Sequence, residues 1–195
     1  MSGRLRVLTE AWLILVLAAV FGAALATVHT SLSGRIEANK RAETLRQVPA
    51  LVLGMEQVKG AEIQIVGDRI DLETAVGESL SLEVSDRQFG GHQVLEVRHG
   101  PARDLAGWVL HGSDQGYADL IELLVGLSPD GSLITGLFVL SQKETPALGD
   151  GITRSEFRQR FVGKKTDRAL VATRIDDGEG ILALTAATIS SRSVC

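Results

Sequence analysis

The N-terminal part of the chain carries two hydrophobic patterns in succession. Residues 11–34 contain no Asp, Glu, Lys or Arg, and about 20 apolar residues rising about 1.5 Å each can cross a hydrocarbon core about 30 Å thick. From Ala38 the apolar residues recur at steps of four and three, as on one face of an amphipathic helix that Pro49 should kink or end. We therefore predict a transmembrane helix over residues 11–30 and an amphipathic connecting helix over residues 31–60.

The flanks of the apolar run bear on location. Arg4 and Arg6 precede it, and positive residues favour the cytoplasmic side of a membrane. We expect residues 1–10 in the cytoplasm and the main domain in the periplasm, anchored by a single pass through a bacterial inner membrane. Ala24-Leu25-Ala26 also fits a signal-peptide cleavage site. A buried core helix fits less well, because the run is long and uniformly apolar.

Beyond residue 60 the hydrophobic period becomes that of a strand. Apolar and polar residues alternate over 61–65 and 80–84, and short apolar runs follow at 94–97 and 108–110. Gly- and Asp-containing turn sequences separate them, which is typical of half-buried strands joined by tight connections.

The clearest predicted hairpin joins residues 120–125 to residues 133–140. Between them lies Ser128-Pro129-Asp130-Gly131, which has the Pro and Gly positions that a type I turn prefers. Both segments are almost entirely apolar, so we expect these two strands to lie centrally in the sheet and to be covered on both faces.

The C-terminal third mixes loops with short regular segments. Thr153-Arg154-Ser155-Glu156 has the capping-box pattern, which predicts a short helix reaching Phe161, and residues 169–175 are predicted as a strand. The fold class is therefore α+β, with a single N-terminal transmembrane helix followed by an antiparallel or mixed β-sheet domain and a few flanking helices.

Composition narrows the function classes. The 195 residues carry a formal net charge of −4, so the chain lacks the basic surface of a nucleic-acid binder. Its single cysteine, Cys195, cannot form an intrachain disulfide. The four histidines show no metal-ligand spacing, and we expect no metal site. No arrangement of acid, base and nucleophile indicates independent substrate chemistry.

Residues 184–191, Leu-Thr-Ala-Ala-Thr-Ile-Ser-Ser, concentrate hydroxyl groups near the end of the chain. Thr185, Thr188, Ser190 and Ser191 are separated by two alanines and one isoleucine. Converging hydroxyls and backbone N–H groups can hold a phosphate, and a helix beginning here would add its positive end. One hydroxyl could also be a covalent attachment point. The alternative is a Ser/Thr-rich turn that caps the last helix.

Four features in order resemble a known family. They are the apolar anchor, Gly116-Tyr117 leading into Leu124-Val125-Gly126, the stretch Lys143-Glu144-Thr145-Pro146-Ala147-Leu148-Gly149-Asp150 against a pattern near E-T-P-G-L-G, and Thr185-Ala186-Ala187-Thr188-Ile189-Ser190-Ser191 against a pattern near S/T-G-A-T-x-T/S-S. Over about residues 116–194 the chain resembles the FMN-binding domain family. This family includes the G subunit of the Rnf ion-translocating electron-transport complex and the C subunit of the sodium-translocating NADH:quinone reductase. Its length and E-T-P-A-L-G loop favour the Rnf branch.

The resemblance implies site residues. FMN would be joined through its phosphate to Thr188, with further cofactor contacts from Thr185, Ala186, Ala187 and Ser190. The E-T-P-A-L-G loop would lie beside the flavin, with contacts from Glu144, Thr145, Pro146, Leu148 and Gly149. Backbone N–H groups of that loop would touch the edge of the isoalloxazine ring, or Glu144 would only anchor the loop. No residue of the chain would be catalytic during turnover.

The function implied is electron relay by an FMN-binding domain at residues 61–195. Its partners would be other subunits of an ion-translocating electron-transport complex and, for maturation, an FMN transferase. The chain departs from the family pattern in two ways. Leu182 replaces an Asp of the transferase recognition pattern, which bears on flavin attachment. Ala147 and Ala186 replace glycines, and an alanine is less stable than glycine where φ is positive. A flavin-binding sensory or regulatory membrane module and a structural assembly subunit without covalent flavin remain alternatives.

Overall fold

The computed structural model describes residues 2–73, 79–175, 178 and 180–195. The chain divides into two compact units, Met1–Ala42 and Glu43–Cys195. The first unit is helical, and the second contains the end of the same helix, the sheet and the remaining helices.

Helix α1 (Ser2–Leu53) begins the chain. A window within Ile14–Leu53 has a mean hydropathy of 1.9 and no buried residue, so α1 has the length and composition of a membrane-crossing helix. Pro49 lies inside α1, so of its two predicted effects, a kink or the end of the helix, the second is wrong. The helix ends instead before Gly54, whose φ of 94° suits glycine at a helix terminus. A single turn, α2 (Met55–Val58), follows.

Seven strands form one antiparallel sheet in which every strand pairs with its neighbours in sequence. They are β1 (Glu62–Val66), β2 (Arg69–Glu73), β3 (Ser79–Phe89), β4 (His92–His99), β5 (Asp104–Gln115), β6 (Leu120–Leu127) and β7 (Ile134–Ser141). The predicted α+β class with an antiparallel sheet is confirmed. The predicted central position of the last hairpin is wrong, because β7 is the edge strand and β6 lies next to it.

The second prediction for that hairpin, coverage on both faces, is confirmed. Successive side chains of a strand point to opposite faces, so β6 and β7 contribute to two hydrophobic cores. On one face Leu124 joins Val48 and Leu51 of helix α1. On the other, Ile121, Leu123, Leu137 and Val139 pack with residues from the C-terminal segment, namely Ile152, Phe157, Phe161, Ile181 and Val194.

The end of helix α1 lies against β6 and β7 at backbone distance. The Thr135 hydroxyl donates a hydrogen bond of 2.6 Å to the carbonyl oxygen of Leu51. A Cβ atom at Gly126 would overlap that same carbonyl, and one at Gly136 would lie 3.1 Å from the Leu51 Cα. The two glycines therefore permit the close approach of helix and sheet.

Short elements complete the second unit. After β7 come a 3-10 turn (Gly149–Thr153), helix α3 (Ser155–Arg158) and a second 3-10 turn (Gln159–Phe161). The predicted helical segment reaching Phe161 is thus confirmed, but the capping box is wrong. Arg154 is the N-cap without a side-chain cap, and the Thr153 hydroxyl donates backwards to the Asp150 carbonyl.

The predicted strand over residues 169–175 shrinks to β8 (Ala172–Thr173), which pairs in parallel with β9 (Ile181–Leu182). Val171 and Ile175 are exposed, so burial does not extend the strand on either side. Helix α4 (Thr188–Val194) ends the chain.

We predict opposite tolerance to alanine at two strand glycines. Gly126→Ala should lower the free energy of unfolding by about 1–3 kcal/mol, because the added methyl meets rigid backbone of helix α1. Gly112→Ala is the matched control, since its Cβ would meet only the movable end of the Leu123 side chain, 3.3 Å away. Urea unfolding of both variants measures the difference; equal losses would contradict the proposed helix–sheet contact.

Candidate functional site

A cavity of about 470 Å³ lies where three segments of the second unit meet. Tyr117 belongs to the turn between β5 and β6. Glu144, Thr145, Leu148 and Gly149 belong to the loop after β7, and residues 186–190 contribute the start of helix α4. The fold thus brings the E-T-P-A-L-G loop and the hydroxyl stretch to one cavity.

The carboxylate of Glu144 links these three segments. One oxygen accepts a hydrogen bond of 2.5 Å from the Ser190 hydroxyl, and the other accepts from the backbone N–H of Ala118 at 3.0 Å. Glu144 is only 5% exposed and Ser190 only 1%. A single buried carboxylate therefore joins the β5–β6 turn, the loop after β7 and helix α4.

The electrostatics of Glu144 favour its ionised form. Burial raises the pKa of this carboxyl, but hydrogen bonds from Ser190 and from the backbone N–H groups of residues 117–119 outweigh burial, so the net pKa lies below its ordinary value. The negative charge is thus retained in a site with little solvent.

Two glycines make room for this carboxylate. A Cβ at Gly116 would lie 2.5 Å from Oε1 of Glu144, and one at Gly149 would lie 2.6 Å from Oε2. No side chain fits at either position while the carboxylate occupies its place. The glycines of two separate motifs therefore serve the same buried group.

The hydroxyls of residues 185–193 divide into two classes. Ser191 accepts a hydrogen bond from the Leu184 N–H and donates to the Ala187 carbonyl, and Ser193 donates to the Gln115 carbonyl at 2.6 Å. With Ser190 on Glu144, these three serines hold helix α4 in place. Among the described residues, the hydroxyls of Thr185 and Thr188 have no hydrogen-bond partner, and of these two threonines only Thr188 lines the cavity.

The backbone at the two Gly-to-Ala departures is left-handed. Ala147 has φ 62° and Ala186 has φ 64°, a region in which an L-residue with a Cβ is disfavoured by about 1–2 kcal/mol. The loop after β7 and the hydroxyl stretch therefore each carry one strained alanine, at the positions where glycine was expected.

Most of the predicted site residues lie together. Those that line the cavity are Glu144, Thr145, Leu148, Gly149, Ala186, Ala187, Thr188 and Ser190. Pro146 and Thr185 are exposed and lie outside the lining. Tyr117 and Ile189 line the cavity too, although the sequence patterns did not assign them. The sequence signal that could have identified them is their position inside family motifs, Tyr117 in Gly116-Tyr117 and Ile189 in the hydroxyl stretch. Trp108 lies elsewhere, bonded to the Pro129 carbonyl.

The lining fits a flavin mononucleotide in size and chemistry. Tyr117, Leu148 and Ile189 are exposed apolar or aromatic side chains at the cavity, and such groups suit the faces of a planar ring system. The Thr188 hydroxyl, which has no hydrogen-bond partner among the described residues, is a polar group in the same lining. The one carboxylate of the lining is already fully engaged by donors of the protein.

Replacement of Glu144 should lower stability in a pH-dependent way. Glu144→Gln places an amide N–H₂ among hydrogen-bond donors, and we expect a loss of about 1–3 kcal/mol in unfolding free energy at pH 7. Because the folded pKa is below that of the unfolded chain, the wild-type advantage exists above the unfolded value of about 4.3 and disappears as the pH falls through the folded pKa.

Unfolding curves between pH 3 and pH 7 measure this effect. The control is Glu156→Gln, since Glu156 is exposed in helix α3 and outside the cavity lining. A stability difference between wild type and Glu144→Gln that stays constant over this pH range would contradict the assigned role of the ionised carboxylate.

Glycine substitution at two adjacent alanines should have opposite effects. Ala186→Gly relieves left-handed strain and should raise the unfolding free energy by up to about 1 kcal/mol. Ala187 has φ −131° and is buried, so Ala187→Gly relieves no strain, increases the freedom of the unfolded chain, removes a buried methyl group and should cost at least about 0.5–1 kcal/mol. Thermal unfolding of the two variants gives the signs; the same sign for both would refute the strain.

Comparison with protein families identifies the same region. The FMN-binding domain family matches residues 116–195. The chain is 38% identical over 87 residues to the G subunit of the proton-translocating ferredoxin:NAD(+) oxidoreductase complex of Clostridium ljungdahlii, a match that covers 45% of this chain and 46% of that protein. A solved structure, Shewanella oneidensis NqrC, shares 27% identity over 53% of this chain and 51% of its own, with a TM-score of 0.46.

A longer match extends beyond the cavity region. The G subunit of the ion-translocating oxidoreductase complex of Methanosarcina acetivorans is 34% identical over 154 residues, which cover 77% of this chain and 76% of that protein. FMN is accordingly the cofactor of the domain at residues 116–195. The chain belongs to the family of G subunits of ion-translocating oxidoreductase complexes, which carry an FMN-binding domain.

Proposed function

We propose that this protein is the membrane-anchored flavoprotein subunit of an ion-translocating oxidoreductase complex and relays electrons through FMN attached to Thr188. The observation that carries the attachment is a hydroxyl that is both free of hydrogen bonds and part of the cavity lining. Thr188 lines the cavity without a hydrogen-bond partner among the described residues, whereas Ser190 and Ser191 are buried and engaged. Thr185 is exposed and lies outside the lining.

The proposal assigns a role to each group of residues that lines the cavity. The Thr188 oxygen holds the phosphate in a phosphoester, and Tyr117, Leu148 and Ile189 flank the ring. FMN supplies the electron-transfer chemistry when bound, while the protein sets its position and surroundings. Glu144 acts on the loop and helix α4 rather than on the flavin directly, which favours the anchoring role over direct contact with the ring.

Anchoring and partners follow from the same proposal. Residues 11–30 cross the membrane with residues 1–10 in the cytoplasm, and residues 61–195 form the periplasmic flavin domain after the connecting segment. The candidate span in helix α1 supports the anchor. Other subunits of the complex deliver and accept the electrons. A covalent link suits such a domain, because FMN lost outside the cytoplasm would not be replaced readily.

The attachment itself is assigned to an FMN transferase. The Thr188 oxygen forms the new bond to the flavin-side phosphorus of a flavin dinucleotide donor, whose phosphoanhydride bond breaks. The nucleoside monophosphate leaves together with the Thr188 proton, so the protein gains the mass of FMN less one water. Leu182, six residues upstream, is half-buried in β9, and its carbonyl accepts a hydrogen bond from Arg160. An aspartate at this position should leave this backbone contact intact, because the contact uses the carbonyl and not the side chain.

We predict that flavin attachment depends on the Thr188 hydroxyl alone. Protein produced with its native maturation system and run on a denaturing gel should fluoresce as flavin in the wild type and in Thr185→Ala, but not in Thr188→Ala. Leu182→Asp should retain or increase the fluorescence. Folding is checked by unfolding curves of wild type and Thr188→Ala produced without the maturation system, so that neither carries flavin. These curves should almost coincide, because the Thr188 hydroxyl bonds to no described residue.

Two other outcomes would replace the proposal. Yellow native protein with a dark denaturing band would indicate non-covalent FMN, as in a sensory or regulatory membrane module whose flavin passes no electrons to partner subunits. Colourless purified protein would favour a structural assembly subunit, which the strained Ala186 and the Leu182 departure also allow.

A further inference from the structure

A second cavity, of about 520 Å³, shares no lining residue with the flavin site. The end of helix α1, the Gly54 turn and helix α2 form one wall, and β7 and helix α3 form the other. The lining is mainly apolar and includes Leu53, Met55, Leu137, Phe138 and Val162. A volume in this range is typical of small-molecule sites in proteins.

Arg158 of helix α3 is the only cation among the residues that line this cavity. Its guanidinium carbon lies 5.3 Å from the centre of the Phe138 ring, against the apolar wall. Its Nε atom is buried and has no hydrogen-bond partner. Burial lowers the pKa of the guanidinium from its ordinary value, but arginine stays charged in proteins.

No anion of the described residues satisfies this charge. Arg158 makes no ion pair within the described ranges, unlike Arg87 and Arg98, which both bind the buried Glu96 carboxylate. Glu56 also lines the cavity but is not paired with Arg158. A buried N–H donor of a charged group without an acceptor is unfavourable, and a bound anion would remove that penalty.

We propose that this cavity binds an amphipathic monocarboxylate, with its carboxylate on Arg158 and its apolar body between Leu53, Met55 and Val162. The planar guanidinium offers two parallel N–H donors, including the unpartnered Nε, to a planar carboxylate. A phosphate monoester fits less well, because its charge of nearly two at neutral pH meets one cation and the Glu56 carboxylate. This site is independent of the flavin and of its attachment.

Calorimetric titration of the full chain in zwitterionic lipid nanodiscs tests the proposal, with empty nanodiscs as the blank. The probes are 2-naphthoate and its neutral counterpart 2-naphthamide, which share the same ring system. We expect 2-naphthoate to bind at least about tenfold more tightly than the amide, as two charge-assisted hydrogen bonds imply. Glu56→Gln should strengthen 2-naphthoate binding, because it removes the nearby negative charge.

Arginine variants assign the binding to Arg158. Arg158→Gln should reduce the affinity for 2-naphthoate to that for the amide, and Arg154→Gln, an exposed position on the same segment outside the lining, should leave it unchanged. Equal affinity for the two probes, or 2-naphthoate binding that survives Arg158→Gln, would overturn the proposal. So would the absence of any 2-naphthoate binding to the wild type.

Met55→Glu keeps the test valid if Arg158→Gln unfolds. Met55 is 55% exposed, so a charged replacement is compatible with folding, and it adds a carboxylate to the cavity wall. This variant should bind 2-naphthoate several-fold more weakly while its unfolding curve matches that of the wild type. Unchanged 2-naphthoate binding in Met55→Glu would count against the assigned location.

Discussion

The hydrogen bond between Ser190 and the buried Glu144 carboxylate connects parts of the site that lie 46 positions apart in the sequence. Because Glu144 also accepts the Ala118 N–H, one charged group fixes the β5–β6 turn, the loop after β7 and helix α4 relative to each other. Gly116 and Gly149 have no room for a Cβ beside it. The position of Thr188 in the cavity depends on this connection.

The sheet supplies the rigid support for that connection. Strands β6 and β7 carry apolar residues on both faces, so the end of helix α1 packs on one side and the C-terminal segment on the other. The loop after β7 therefore begins from a strand that is held from two directions. Left-handed alanines at positions 147 and 186 are tolerated in this setting, because the surrounding contacts determine the backbone.

Local patterns predicted the elements well and their arrangement less well. Alternation over residues 61–65 and the Pro129–Gly131 turn identified strands and a hairpin, because both signals are local. The edge position of β7 depends on which strands pair, and the hydrophobicity of Leu137 and Val139 cannot distinguish an edge strand covered by two layers from a central one. The role of Glu144 was likewise open, since its partners come from two distant segments. The motifs nevertheless identified most of the residues that line the cavity.

Peptide-level mass spectrometry of the protein purified from its native membrane tests flavin attachment at Thr188 most directly. We predict one peptide, containing Thr188, that carries the mass of FMN less one water, with fragment ions that assign the added mass to Thr188. An unmodified Thr188 peptide, or the added mass on Thr185 or a serine of the same stretch, would contradict this attachment.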